Sequence, residues 1–445
     1  MIDNEEIRLA KLCVEFAKEQ GAQDCRLNLF KSESNLINTL NGAVDNVSHS
    51  LDRSMSLQLF VDGRFASFST NRLEEQDLKD FIVKAISLTR VMEPDSARQL
   101  PEPERCCKCA TNGREMGLYD DTFPLMDMDR RLEIALKNCL KAENTKDYSI
   151  VSEEAQYSDS EFDNISLDSR GLWCRHLETS FEYASNVTVQ GPEGQKTSNY
   201  EWIARPMLKD LHTEDIAGKA LEKAVAQLGA KAASSGRYNM VVHRDVASKL
   251  LTPLLNALGG YALQQNNSFL TDSLGKQIFS PALSVYEVCH RKGESGSRLF
   301  DSEGVATKEG PIIENGVIKQ YFINTYIANK TGLEPSVEDA VRPLLKAWPE
   351  EGLDCRAIIG RCGSGILVTG FNGGNCNSAT GDFSYGVEGF LFENGEIKAP
   401  VSEMLITGNM KELFCKLLYA GSDTRSDQSK LVPSLAFEGV DFSGL

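Results

Sequence analysis

Between Ile366 and Val401 the chain reads ILVTGFNGGNCNSATGDFSYGVEGFLFENGEIKAPV, the stretch that restricts its folding most tightly. Ile366, Leu367 and Val368 are β-formers, and Phe390, Leu391 and Phe392 make the continuous apolar run that a strand buried on both faces shows. Asn394-Gly395 adds the dipeptide of a tight hairpin. From Gly370 to Gly389 the chain is rich in glycine and almost free of aliphatic side chains. That segment reads as a long loop held between two apolar strands, where its backbone can approach a ligand or another chain closely. Phe371, Asn372, Asn375, Thr380, Gly381, Asp382 and Ser384 are therefore the candidates for contact with a ligand or another chain. Asp382 has two readings, a functional carboxylate or a turn residue that bonds its own backbone.

Upstream, the spacing of Ile7, Leu9, Ala10, Cys13, Phe16 and Ala17 predicts a helix over 4–20, with Asp3 or Asn4 as its cap and Gly21 as its stop. Short strands follow, CRLNLF, SLQLFV and RFASFS, separated by Asn41-Gly42 and Asp62-Gly63. A second helix after Asp127 and a second set of short strands, from YSIVSEEAQYS to NVTVQG, repeat the arrangement without a residue-level repeat. Thr213 is the expected cap of a third helix that ends before Gly229. Beyond it, one strand and one helix lead into what reads as β-structure with Asn-Gly hairpins. The expected class is α+β: an N-terminal α+β domain with antiparallel sheets over 1–229, with sub-units 1–93 and 124–229, and a β-rich C-terminal domain over 230–445.

Several chemistries fail on spacing. Gly360-Arg361-Cys362-Gly363-Ser364-Gly365 precedes a strand, whereas a dinucleotide loop must follow a strand and open a helix, and no G-x-x-x-x-G-K-[ST] is present. No G-x-S-x-G nucleophile elbow is present either. Cys376 sits in GGNCNS with no local signature, so it reads first as a small polar-loop residue and second as a thiol nucleophile. Twelve cysteines in a chain whose acidic start, MIDNEEIRLA, lacks a signal-peptide core read as reduced thiols in the cytoplasm. Cys106, Cys107 and Cys109 are the one cluster; preceded by LPEPER and followed by no second pair at metal-ligand spacing, it reads as an exposed linker rather than a metal or redox site.

TGDFSYGVEGF followed by ENGEIKAPVSEMLITGNM resembles the C-terminal signature of the TldD/PmbA family, and in particular its TldE (PmbA) branch. The resemblance continues backwards through RLFDSEGVATKEGPIIENGVIKQYFINTYIANKTG and GRYNMVVHRDVASKLL and covers nearly the whole chain. In this family the TldD subunit carries HExxxH on a helix, two His and a further ligand holding zinc with the Glu as general base. The corresponding stretch, Leu250 to Phe269, contains neither His nor Glu, and His49, His176, His212, His243 and His290 are far apart. The resemblance thus implies a metal-free, cofactor-free subunit that binds and guides unfolded peptides for a zinc-bearing sister. Its alternatives are a stand-alone homodimeric peptide binder and a thiol hydrolase using Cys376. The excess of 64 acidic over 47 basic residues, a net charge of −17, speaks against a nucleic-acid partner and gives the family's older label, modulator of DNA gyrase, no support. No apolar run reaches the roughly 20 residues of a membrane helix. The isolated chain is expected to hold no stoichiometric zinc after dialysis; elemental analysis finding about one zinc per chain, lost on replacing Cys106 and Cys109, would restore the cysteine-cluster reading.

Overall fold

A computed structural model describes residues 1–444. Its N-terminal part is built on one antiparallel sheet. Strands β1 (Asp24–Leu40), β2 (Ala43–Val61), β3 (Arg64–Thr70), β4 (Ser149–Asp168), β5 (Trp173–Gln190) and β6 (Lys196–Arg205) lie in the order β3-β2-β1-β4-β5-β6. The two expected sub-units do not form separate sheets, because β1 and β4 pair along almost their whole lengths, from Arg26↔Asp168 to Leu40↔Glu154. Helices α1 (Asn4–Glu19), α2 (Glu75–Thr89), α3 (Met128–Lys137) and α4 (Ile216–Ala226) cover one face of this sheet. Asp3 caps α1 through the backbone N–H groups of Glu5 and Glu6, and Glu6 returns the bond in a capping box. Helix α2 has no side-chain cap and escaped the sequence reading. Helix α4 starts at Ile216 rather than beside Thr213: Asp215 precedes it with φ 75°, and the buried Thr213 hydroxyl instead accepts from Asn138 Nδ2 at 2.5 Å.

The strands are long, not the short pieces that hydropathy suggests, and the reason is a buried polar band. On β4 the helix-facing residues at mid-strand are Asp159, Glu161 and Asp163, all buried where alternation calls for apolar groups. Each is satisfied. Asp159 accepts from Arg131 Nε (2.7 Å), Asn35 Nδ2 (2.8 Å) and the Tyr157 hydroxyl (2.8 Å). Glu161 accepts from the Tyr119 hydroxyl at 2.7 Å, and Asp163 from Arg175 (2.6 Å) and the Ile2 N–H (2.8 Å). Apolar cores lie on either side of the band, around Leu27, Leu57 and Leu167 under α1 and α2, and around Ile37, Tyr157 and Tyr183 under α3.

The C-terminal part opens with β7 (Gly236–Val242), α5 (Arg244–Ala257) and α6 (Gly260–Gln264). A small sheet follows, β8 (Val285–Glu287), β9 (Gly310–Glu314), β10 (Val317–Ile318) and β11 (Pro343–Leu345), with α7 (Thr325–Thr331) between its last two strands and α8 (Cys355–Cys362) after them. The main sheet takes β7 together with β12 (Gly365–Phe371), β13 (Asn375–Cys376), β14 (Asp382–Glu393), β15 (Glu396–Asn409), β16 (Leu417–Ala420) and β17 (Leu435–Gly444); α9 (Met410–Cys415) links β15 to β16. Because β12 pairs with both β7 and β14, the ring β12-β7-β17-β15-β14 closes on itself. Closure leaves no free edge along the paired length and buries Ile366 and Val368 against Leu250, Leu254 and Phe437 in one core. Asn315-Gly316 and Asn394-Gly395 have positive φ at both residues, as do Asn41-Gly42 and Asp62-Gly63, so all four expected hairpins form with type I′ character. Most of 265–350 lies outside the short strands and α7.

Truncating Asp159 leaves the buried guanidinium of Arg131 uncompensated. Asp159→Ala is expected to cost about 3–5 kcal/mol in urea unfolding, and adding Arg131→Met is expected to recover part of that loss.

Candidate functional site

A cavity of about 750 Å³ opens between the outer strand β6, the exposed side of α5 and the glycine-rich segment after β12. Helix α5 divides its residues sharply. Ala247, Leu250, Leu251, Leu254 and Leu255 enter the core, while Lys249, Thr252, Pro253 and Asn256 face the cavity. The opposite wall holds Asn186 from β5 and Ser198, Asn199 and Tyr200 from β6. An aromatic floor is formed by Tyr385, whose ring stacks on Phe383 (5.4 Å between centroids) and meets Phe371 edge-on (5.6 Å). Lys249 Nζ lies 5.3 Å from the Tyr385 ring centre, within cation–π range. Burial pushes the Tyr385 hydroxyl up to about 12, so it stays a neutral hydrogen-bonding group.

The segment read as one loop from Gly370 to Gly389 is a loop only in its first half. Asp382 onward is strand β14, paired with β15, and Asn375–Cys376 adds a short rung to the same strand. Glycine is required where the backbones converge: a Cβ on Gly374, which has φ 84°, would sit 2.0 Å from the Ser384 carbonyl oxygen. Phe371, Asn372 and Asn375 line the cavity, as does Cys376. Thr380, Gly381, Asp382 and Ser384 lie outside its lining. The exposed Asp382 carboxylate accepts from Thr380 Oγ1 (2.7 Å) and Asn409 Nδ2 (2.9 Å), which hold it below the usual carboxylate range. Those bonds close the base of the turn.

Cys376 has no activating base. No histidine lines the cavity, and His290 bonds Thr307 Oγ1 at 2.9 Å elsewhere. Burial and the nearby Asp382 raise the Cys376 thiol above its ordinary value, which disfavours the thiolate.

Next to this cavity, and sharing Asn199, Tyr200, Val246 and Thr369 with it, is a smaller one of about 340 Å³. Its far wall is a charge network. Arg425 reaches Glu201 on β6 (2.9 Å), Asp245 at the start of α5 (3.4 Å), Asp427 (2.9 Å) and the Trp202 carbonyl (2.6 Å). Lys223 of α4 bonds the same Glu201 (2.7 Å) and Asp245 (3.1 Å). The network joins the N-terminal sheet to the helix that floors both cavities. Although burial opposes it, His243 and Lys223 hold the Asp245 carboxyl far below the usual range, and Glu201 and Asp427 are lowered in the same way by their cationic partners.

Sequence reasoning missed Lys249, Asn256, Tyr200, Tyr385 and this network. A faint signal was present, since Lys249, Thr252 and Asn256 are a polar stripe at helical spacing on a leucine-rich helix.

The fold is that of one family. Three of its domain descriptions match in series: PmbA/TldA metallopeptidase domain 1 over 27–89, the central domain over 121–228 and the C-terminal domain over 235–444. The chain belongs to this PmbA/TldD family. It is 26% identical to the metalloprotease PmbA homolog of Haemophilus influenzae, over 99% of this chain and 96% of that one. With metalloprotease PmbA of Escherichia coli O157:H7 it shares 27% identity, over 95% and 93%. A crystal structure from Bacteroides thetaiotaomicron, described as a modulator of DNA gyrase, superposes with a TM-score of 0.93 at 38% identity over the full length of both chains. TldE from Thermococcus kodakarensis has the same fold, with a TM-score of 0.81 at 20% identity over 98% of this chain and 100% of that one.

The word metallopeptidase implies a metal, and the residues here do not fit one. Around the cavity the donors are carboxamides, hydroxyls, an ammonium, one thiol and the single carboxylate of Glu388, which is already bonded by Asn372 Nδ2 at 2.9 Å. Among the described residues no three His, Cys, Asp or Glu side chains converge to hold a metal ion. No helix among them is long and apolar enough to cross a membrane.

The carboxylates of the network have folded values below their unfolded ones. Their stabilisation is fully present above about pH 4 and is lost as the pH falls below that. Arg425→Met is expected to lower stability by about 3 kcal/mol at pH 7. In urea unfolding between pH 6 and pH 3 the variant should also show a shallower acid loss than the parent.

Proposed function

We propose that this chain is the metal-free, TldE-like subunit of a TldD/TldE type peptidase, binding unfolded peptides and presenting them to a zinc-bearing HExxxH sister. The carrying observation is the lining of the cavity of about 750 Å³ on α5, the helix that begins the stretch corresponding to the sister's metal motif. In place of ligands and a base it offers amides, hydroxyls and an aromatic floor, groups that recognise peptide backbone and side chains without reacting with them. Along one wall runs β6, the outer strand of the sheet, with Tyr200 exposed. An extended peptide laid there would gain main-chain hydrogen bonds by strand addition and lose little specificity, as a guide for varied substrates requires. Phe371, Asn372 and Asn375 contact the peptide in this reading, while Thr380, Gly381, Asp382 and Ser384 shape the turn and the rim that meets a partner. The working compartment is the cytoplasm, where the sister and unfolded chains would be met.

The purified chain is expected to leave unfolded peptides intact and to support their cleavage once an HExxxH sister is added. Turnover by the chain alone that survives a chelator and disappears in Cys376→Ala would instead establish a thiol hydrolase. In the mixed assay Asp382→Ala should weaken partner or peptide binding with a stability change within about 0.5 kcal/mol, the range for a surface position. A large stability loss with intact binding would confine Asp382 to its turn.

A further inference from the structure

The cysteine cluster is only partly exposed. Cys107 is buried, Cys109 is exposed, and their sulfurs lie 3.6 Å apart. Cys174, fully buried on β5, donates its S–H toward the Cys107 carbonyl at 3.5 Å. Cys107 and Cys174 pack with Ala110, Leu172 and Phe300 in one small apolar cluster. Cys106 is set apart, its thiol directed to the Glu102 carbonyl at 3.7 Å. One sulfur of the Cys107/Cys109 pair thus faces solvent, one is sheltered, and a third thiol stands beside the sheltered one.

We propose that Cys107 and Cys109 form a thiol–disulfide exchange site whose substrates are low-molecular-weight disulfides. The exposed Cys109, as thiolate, attacks one sulfur of the small disulfide and expels the other half as a thiol, leaving a mixed disulfide on Cys109. Cys107 then attacks Cys109 Sγ; the S–S bond to the small molecule breaks, the second small thiol leaves with a proton, and the Cys107–Cys109 bond forms. Two protein thiols are oxidised and one small disulfide is reduced to two thiols, so atoms and electrons balance. The sulfurs need to close from 3.6 Å to about 2.05 Å, a local movement of the connector.

Exposure sets this division of labour. The Cys174 thiol and the N–H groups of Cys109 and Ala110 lower the Cys107 thiol despite its burial, which favours the resolving thiolate. Burial and the Cys107 sulfur raise Cys109, so its entry is slow at neutral pH and rests on its exposure rather than its acidity. The pair also sits at a junction. Cys107 N–H donates to the Gly304 carbonyl and Ala306 N–H to the Arg105 carbonyl, both at 2.9 Å, so the connector is stitched to the C-terminal part where the new bond would form. Cys415 is a natural control, an exposed thiol whose S–H donates only to the Ile278 carbonyl at 3.4 Å.

The test is to incubate the reduced full chain with glutathione disulfide and map the products by peptide mass spectrometry. The parent is expected to lose two hydrogens and carry a Cys107–Cys109 link, while Cys415 carries at most a glutathione adduct. Cys107→Ser should stop at the adduct on Cys109, and Cys109→Ser should prevent closure. Cys174→Ala should slow closure by roughly tenfold at pH 7 and restore a pH-dependent rate, because the thiolate fraction of Cys107 falls while its intrinsic reactivity rises. A glutathione adduct that persists on Cys109 of the parent, a Cys106–Cys109 link, or equal adducts on Cys109 and Cys415 without any link would each overturn the proposal. The parent mapping alone decides between these outcomes, whatever the folding of the variants.

Discussion

Arg425 holds the two halves of the molecule in register. It lies far along the chain from Glu201 and Asp245, yet it bonds both, together with Asp427 and the Trp202 carbonyl, and Lys223 repeats the bond to each of the first two carboxylates. Charge-assisted hydrogen bonds of this kind fix geometry more strictly than apolar contact, because each donor has a direction and each loss strands a charge in a half-dry setting. The shape of the smaller cavity depends on that geometry, since Glu201 of β6 and Asp245 of α5 both line it. A cavity whose walls come from separate parts of the fold keeps its shape only if something ties them, and here the tie is ionic.

A second constraint lies inside the N-terminal sheet. Burying Asp159, Glu161 and Asp163 in mid-strand costs desolvation that apolar residues would avoid, and it is offset only because Arg131, Arg175, Tyr119 and Asn35 supply complete partners. The band explains why alternation fails as a guide here. Hydropathy sees an interruption, divides each strand in two, and loses the register that joins β1 to β4. Physical continuity is carried by hydrogen bonds between residues more than a hundred positions apart, as in Asn35 to Asp159.

Membership of a metallopeptidase family and a site unable to hold a metal are compatible once binding and chemistry are assigned to different subunits. On α5 the positions that would present ligands to a cavity present Lys249, Thr252 and Asn256. The apolar side of the helix, Leu250, Leu251, Leu254 and Leu255, enters the core. The space bounded by that helix and an outer strand is a property of backbone placement rather than of any catalytic side chain.

What the sequence determined by itself are the features set by local chemistry. Asn-Gly and Asp-Gly force positive φ and so place four hairpins, Asp3 and Asp127 cap their helices, and the apolar runs at Ile366 and Phe390 become neighbouring buried strands. The long motifs near Gly381 and Asn394 carried the family, and glycine content singled out the segment whose Phe371, Asn372 and Asn375 line the cavity. The tertiary structure decided the rest. It turned half of the supposed loop into β14, bonded Asp382 to Thr380 and Asn409, brought β6 and α5 together around the cavity, and set Cys174 beside Cys107. The division has one physical cause. Turns and caps are settled by residues within a few positions of each other, whereas a cavity wall, an ion network or a thiol pair with its third partner depends on contacts whose spacing along the chain carries no periodic signal.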